Sequence, residues 1–263
     1  MKRICVLILA ALLCLSGCRH GVELATDGPA EMTVQVTEGP TEPAASETAA
    51  ALQEPKETNV PEKQLQTVDL PQTISPEQAD DVLVRVVDYI PLIQQELAYA
   101  TEDNFTGQPI YGFTDAYLRY GTVKKLSKAC DELAEQGIGL KIWDGFRPLS
   151  AQEKLWEICP DTTYVSHPVT GSRSHCRGSA VDVTLIDLET EMELPMPTGF
   201  DDFTALADRD YSDCDPEAAH NALLLEEVME KYGFKSYDAE WWHYSDTEDY
   251  PVEENFDPGA GVG

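Results

Sequence analysis

Apolar and polar residues are distributed in two unlike ways along the chain. From about Arg19 to Thr73, Glu, Thr, Ala, Pro and Gln dominate, with no sustained apolar period and no Phe, Trp or Tyr. Such a segment has too little to bury and predicts a disordered stalk, whose reach by coil statistics is about 40 Å. From about Ser75 to Phe256 apolar residues recur with strand and helix periods, over about 180 residues, which suffices for one compact core.

Within that region Val82, Val84 and Val86 alternate with outward positions before Asp88-Tyr89-Ile90-Pro91, a strand pattern ended by proline. Thr114 reads as an N-cap. Val123, Leu126, Cys130 and Leu133 then fall at helical spacing before Gly137, a natural residue just past a helix end. Leu140 and Ile142 predict a short buried strand running into the turn Trp143-Asp144-Gly145-Phe146-Arg147-Pro148. Ser150 with Glu153 three residues on reads as a capping box opening a helix to about Cys159. Ala180 to Leu185 alternates as a strand, with Asp182 on the face of Ala180 and Thr184. Asp215 and Pro216 start a helix carrying Leu223, Leu224, Val228 and Met229, closed by Gly233, and Phe234 to Tyr244 resumes in extended form. Interleaved strands and helices without Gly-rich crossover turns predict an α+β fold, a single compact domain with a central antiparallel sheet flanked by helices.

Before the stalk, Lys2 and Arg3 precede the apolar run Val6 to Leu13, too short to span a bilayer, and this reads as a secretory signal. Leu15-Ser16-Gly17-Cys18 follows and resembles the bacterial lipobox, in which cleavage leaves a diacylated cysteine. The alternative is an ordinary signal peptide with an incidental cysteine. The expected division is therefore a signal peptide at 1–17, a linker at 18–74 anchored by lipid on Cys18, a folded domain at 75–256 and a flexible tail at 257–263. The protein would be exported and held at the outer face of the cytoplasmic membrane.

The formal net charge is −30, and loss of Lys2 and Arg3 makes it −32, which argues against nucleic acid or anionic lipid as partners. Of seven cysteines, Cys130, Cys159, Cys176 and Cys214 remain in the body. Outside the cytosol they could pair in three ways, and their spacings match no structural zinc pattern.

A catalytic zinc site needs three protein ligands, an open position for water and a nearby base. His175 and Asp182 lie seven apart, and the small residues Gly178, Ser179 and Ala180 between them let the chain fold back before the strand. In Glu240-Trp241-Trp242-His243 a carboxylate and an imidazole sit among large rings, where burial without partners costs several kcal/mol. A metal on His243, with Glu240 facing its water, removes that difficulty. Arg147, before Pro148, could stabilise an oxyanion. Each segment alone also admits a bland reading: a loop histidine, a half-buried Glu-His pair, a surface arginine paired with an acid.

Taken together, "SHCRGSAVDVTL", "EWWH" and "WDGFRP" resemble the D-Ala-D-Ala dipeptidase family of zinc peptidases, the group containing the VanX-type enzymes. The resemblance extends to "DYIPLIQQELAYATEDNFTGQPIYG" and "MPTGFDDF" and covers roughly Val82 to Tyr244. It implies one zinc ion per chain on His175, Asp182 and His243, Glu240 as general base and acid, and Arg147 as oxyanion stabiliser. It further implies that Asp201 meets the substrate ammonium, with Tyr99 and Ser174 as further substrate contacts. The partner is then a small D-amino-acid dipeptide. One departure is that Arg173 stands where the family often has serine, which puts the contacts to the substrate carboxylate in doubt. Cys176, beside His175, could be a fourth ligand or a disulfide partner, and packing is expected ahead of either. Two other readings stay open: a D,D- or L,D-carboxypeptidase acting on longer stem peptides with the same metal site, and an inactive peptidoglycan-binding lipoprotein.

Overall fold

The computed structural model describes residues 75–261. The signal peptide, the linker and Cys18 therefore lie outside the described residues. Seven strands and three α-helices follow in the order β1 (Leu83–Arg85), β2 (Gln94–Gln95), β3 (Tyr117–Arg119), α1 (Tyr120–Ala134), β4 (Ile138–Asp144), α2 (Leu149–Ile158), β5 (Ala180–Asp187), α3 (Pro216–Lys231), β6 (Phe234–Tyr237) and β7 (Glu240–Asp246). The 3-10 turn Pro258–Gly261 lies in the expected tail.

The main sheet has the order β2-β4-β5-β7-β6, and β1 pairs β3 in a separate two-stranded ribbon. The α+β expectation holds, and the sheet is antiparallel except at one edge, where the two residues of β2 run parallel to β4. Helices α1 and α3 touch each other and pack on the sheet, α1 against β4 and α3 against β5, β6 and β7. Leu126, Leu133, Leu140, Ile142, Val181, Val183, Leu185, Leu225 and Met229 belong to the resulting core. As the middle strand, β5 is buried from Ala180 through Ile186, so its alternation separates two buried faces rather than core from solvent.

Three local expectations are corrected. The first strand spans only Leu83–Arg85, and Val86–Asp88 turns into a 3-10 helix that buries Val86. Thr114 does not cap α1: Tyr117–Arg119 pairs with β1, and the helix begins at Tyr120 only after that ribbon ends. The Ser150/Glu153 box does not form either. Pro148 occupies the N-cap position, and its carbonyl accepts from the amides of Ala151 and Gln152, which places Ser150 inside the first turn. On α3, Leu223 is exposed, and the inward face is Ala218, Ala222, Leu225, Val228 and Met229. The start of α3 is as expected, since the Asp215 carboxylate accepts from the Glu217 amide at 2.9 Å. All four body cysteines are free thiols.

Candidate metal centre

Cross-strand register brings the acidic and imidazole side chains together. Asp182 of β5 lies directly opposite His243 of β7, so both project from the same face of the sheet. On the other side of β5 the register with β4 runs Leu140 to Leu185 and Ile142 to Val183, then slips so that Asp144, not Trp143, faces Asp182. This bulge turns Asp144 from the face of Ile142 to the face of Asp182. His175 arrives from the 3-10 turn His175–Arg177, which ends at Gly178 in the left-handed region at φ 70°.

The three sequence-predicted ligands converge, with one ligand atom from each of His175, Asp182 and His243 lying within 4.8 Å of the others. His175 Nε2 stands 3.3 Å from Asp182 Oδ2 and 3.2 Å from His243 Nδ1, and His243 Nδ1 is 2.9 Å from Asp182 Oδ1. Partners behind the ligands orient them. His175 Nδ1 donates to the Gly145 carbonyl at 2.8 Å, which can only accept, so in the neutral ring Nε2 carries a lone pair toward the cluster. His243 Nε2 meets Ser245 Oγ at 3.0 Å, which leaves Nδ1 for the same point.

Two lone pairs and a buried carboxylate aimed at one spot call for a cation. Burial would raise the Asp182 carboxyl, but His175 and His243 hold it below the usual carboxylate range. Burial would lower the His175 pKa, but Asp182 and Asp144 raise it. The donor set of two imidazole nitrogens and one carboxylate oxygen fits a divalent cation with room for a further ligand.

The remaining predicted residues surround this cluster in one cavity of about 500 Å³, whose lining includes Tyr99, Arg147, Ser174, Asp201 and Glu240. Glu240 Oε2 lies 3.9 Å from His243 Nδ1, beside the ligand trio rather than in it. The two are three residues apart, and the register between β6 and β7 breaks there. Burial raises the Glu240 carboxyl pKa, partly offset by His243, which suits a group that takes up and returns a proton.

Arg147 donates to Asp144 Oδ2 through Nε at 3.0 Å and Nη2 at 2.6 Å, and to Gln152 Oε1 through Nη1 at 2.9 Å. Its guanidinium stacks over Tyr99 at 5.1 Å. Burial works against its charge, yet Asp144 keeps the pKa well above the ordinary value, so it stays cationic with two N–H bonds outside these contacts. Asp201 accepts from the Tyr99 hydroxyl at 2.7 Å, and burial pushes its pKa up to about 7.

Sequence reasoning missed Asp144, Tyr111, Gln152 and Ser245. Asp144 is fully buried and accepts from Tyr111 Oη at 2.7 Å and the Gly145 amide at 2.9 Å while it holds Arg147. Its only local signal was an Asp-Gly pair, which reads as a turn. Ser245 lies two residues beyond His243 on an alternating strand, a spacing that could have flagged it. Cys176 is fully buried next to His175 but is no member of the ligand trio, and burial pushes its thiol up to about 11.

A family profile described as D-ala-D-ala dipeptidase matches residues 79–257, which is nearly all of the described fold. A D-alanyl-D-alanine dipeptidase of Escherichia coli is 36% identical over 162 residues, 62% of this chain and 83% of that protein. Another from Enterococcus faecium is 34% identical over 171 residues, 58% of this chain and 85% of its own. A third, from Streptomyces coelicolor, is 32% identical over 185 residues, 63% and 91% of the two chains. With the ligand cluster, the cavity and these likenesses falling in one stretch of sequence, the chain belongs to the D-Ala-D-Ala dipeptidase family and is a metallopeptidase.

Proposed function

We propose that this chain hydrolyses D-Ala-D-Ala, or a similar D-amino-acid dipeptide, with one zinc ion held by His175, Asp182 and His243. The observation that carries the reading is the convergence of these three ligand atoms, with Glu240 beside them, in a cavity that also presents Arg147 and Asp201. Zinc, when bound, acidifies a water molecule and polarises the scissile carbonyl.

The protein's own groups supply the rest. Glu240 takes a proton from the attacking water and returns it to the leaving amine. The two uncommitted N–H bonds of Arg147 point a fixed positive charge at the oxygen that becomes negative, and Asp144 and Gln152 prevent the guanidinium from swinging away. Asp201, ionised, receives the substrate ammonium, and the Tyr99 hydroxyl steadies that carboxylate. An ammonium anchor in the same cavity as the ligand cluster favours a dipeptide over a longer stem peptide.

Purified chain is offered free D-Ala-D-Ala and a pentapeptide ending in D-Ala-D-Ala, with and without a chelator. Chelator-sensitive hydrolysis of the dipeptide alone is expected. Cleavage of the pentapeptide would instead make the chain a carboxypeptidase, and failure on both would favour a binding module.

We further propose that the protein acts outside the cytoplasm, tethered through lipid on Cys18, because a charged head, an apolar run and Leu-Ser-Gly-Cys coincide at its N-terminus. An enzyme so placed cannot drain a cytosolic dipeptide pool, and recovery of D-alanine from peptidoglycan fragments is the role that fits. Labelled palmitate should enter the native chain and not Cys18→Ala, and equal labelling of both would refute the anchor.

A further inference from the structure

Arg173 differs from the other arginines around the centre in having no hydrogen-bond or ion-pair partner among the described residues. Arg147 is tied to Asp144 and Gln152, Arg177 to Asp249 at 3.1 Å, and Arg209 to Glu226 and to the carbonyls of Glu240, Trp241 and His243. Arg173 lines the cavity and is half-buried, and its Nε is buried without a hydrogen-bond partner among the described residues. Acidic residues outnumber Lys and Arg by 48 to 18 in this chain, so an arginine without a carboxylate is not explained by a shortage of acids. A buried guanidinium N–H left unpaired is unfavourable, and the position therefore asks for an acceptor beyond the described residues, as a ligand in the cavity would supply.

The backbone at this residue is also held against its preference. Arg173 has φ 53°, in the left-handed region that a side chain disfavours. The turn before it is held by its own bonds: the Gly171 amide bonds the His167 carbonyl at 2.8 Å and the Ser172 amide bonds Ser166 Oγ at 3.0 Å. Gln152 Nε2 donates to the Ser166 carbonyl at 2.7 Å while its Oε1 receives Arg147, so one side chain ties Arg147 to the turn that precedes Arg173. Strain maintained in this way marks a placed group rather than a loose surface residue.

The reading that follows rests on the proposed dipeptidase activity. A free dipeptide carries one ammonium, one terminal carboxylate and one reacting carbonyl. Asp201 answers the first and Arg147 the third. Lys235, the other cation at the cavity, is solvent-exposed on β6. We propose that Arg173 binds the C-terminal carboxylate of the substrate and makes the enzyme select peptides with a free C-terminus.

The test uses the full chain carrying Glu240→Gln, so that ligands persist, and titrates D-Ala-D-Ala and its C-terminal amide by calorimetry. The acid is expected to bind about 10- to 100-fold more tightly than the amide, the range for a charge-assisted pair. Adding Arg173→Ala, or Arg173→Ser as a substitution the fold is expected to accept, should bring the two ligands within about twofold, and Arg173→Lys should restore part of the gap. An acid-to-amide ratio that survives both substitutions overturns the proposal, as does a parent that binds acid and amide equally or binds neither. Hydrolysis by the native chain is scored separately. A collapse of the ratio without hydrolysis keeps Arg173 and removes the dipeptidase reading, and hydrolysis with an unmoved ratio does the reverse.

Discussion

Glu240 and Asp201 are both carboxylates in one cavity, yet their surroundings assign them different work. Glu240 sits beside the ligand trio and outside it, so Glu240→Ala should keep its metal and lose turnover. We expect kcat to fall by about 10²- to 10⁴-fold with unchanged metal content by atomic absorption, and a substantial residual rate would remove the proton-transfer role. Asp201 differs because burial lifts its pKa to about 7. A raised carboxyl pKa contributes stability below the unfolded value, and that contribution is lost as pH rises through about 7. Asp201→Asn should therefore gain stability relative to the native chain as pH goes from about 5 to 8, measured by urea unfolding. The same ionisation creates the ammonium site, so KM for the dipeptide should fall between about pH 6 and 8 in the native chain only. A KM that stays level in both proteins would show that Asp201 does not meet the ammonium.

The turn that delivers His175 to β5 depends on Gly178, whose φ of 70° and missing side chain let the strand pass Leu83. A Cβ there would stand 2.4 Å from Leu83 Cδ2, so Gly178→Ala combines backbone strain with a clash against β1. We expect a loss of about 1–3 kcal/mol in urea unfolding together with weaker metal retention, and a change under about 0.5 kcal/mol would mean that the turn tolerates the side chain. Elements of this kind also mark how far the site could be read in advance. The small residues after His175, the carboxylate in the Ala180 strand and the Glu-x-x-His run are local signals, and all four side chains do meet. Asp144 was illegible because its face depends on a register slip between β4 and β5, which no local pattern encodes. The start of α1 was misplaced for a similar reason: Tyr117–Arg119 is extended only because it pairs with β1, far upstream. Pro148 displaced the expected capping box because it holds the N-cap position itself, which leaves Ser150 inside the first turn.

Across the whole fold, the ligand set joins strands that share one core but pair over unequal lengths. Strands β4 and β5 pair along nearly their full length, from Ile138 with Asp187 to Asp144 with Asp182. Strand β7 meets β5 through only three residue pairs, Ala180, Val181 and Asp182 with Ser245, Tyr244 and His243. A cation shared by His175, Asp182 and His243 would act as a clasp at the end of that short ladder, bonding the turn before β5, β5 itself and β7. Any ligand that binds only the folded state stabilises it by mass action, about 2.7 kcal/mol at one hundred times its dissociation constant. For a domain of this size that corresponds to a rise in Tm of roughly 5–10 °C on adding zinc to the chelated protein. The gain should also be uneven. Amide exchange after chelation should quicken most in Glu240–Asp246 and around His175, and least in α1 and β4, where the core is continuous without the ligands. If chelation leaves exchange unchanged, or speeds it equally throughout the fold, the three side chains do not hold the sheet together through a shared ion.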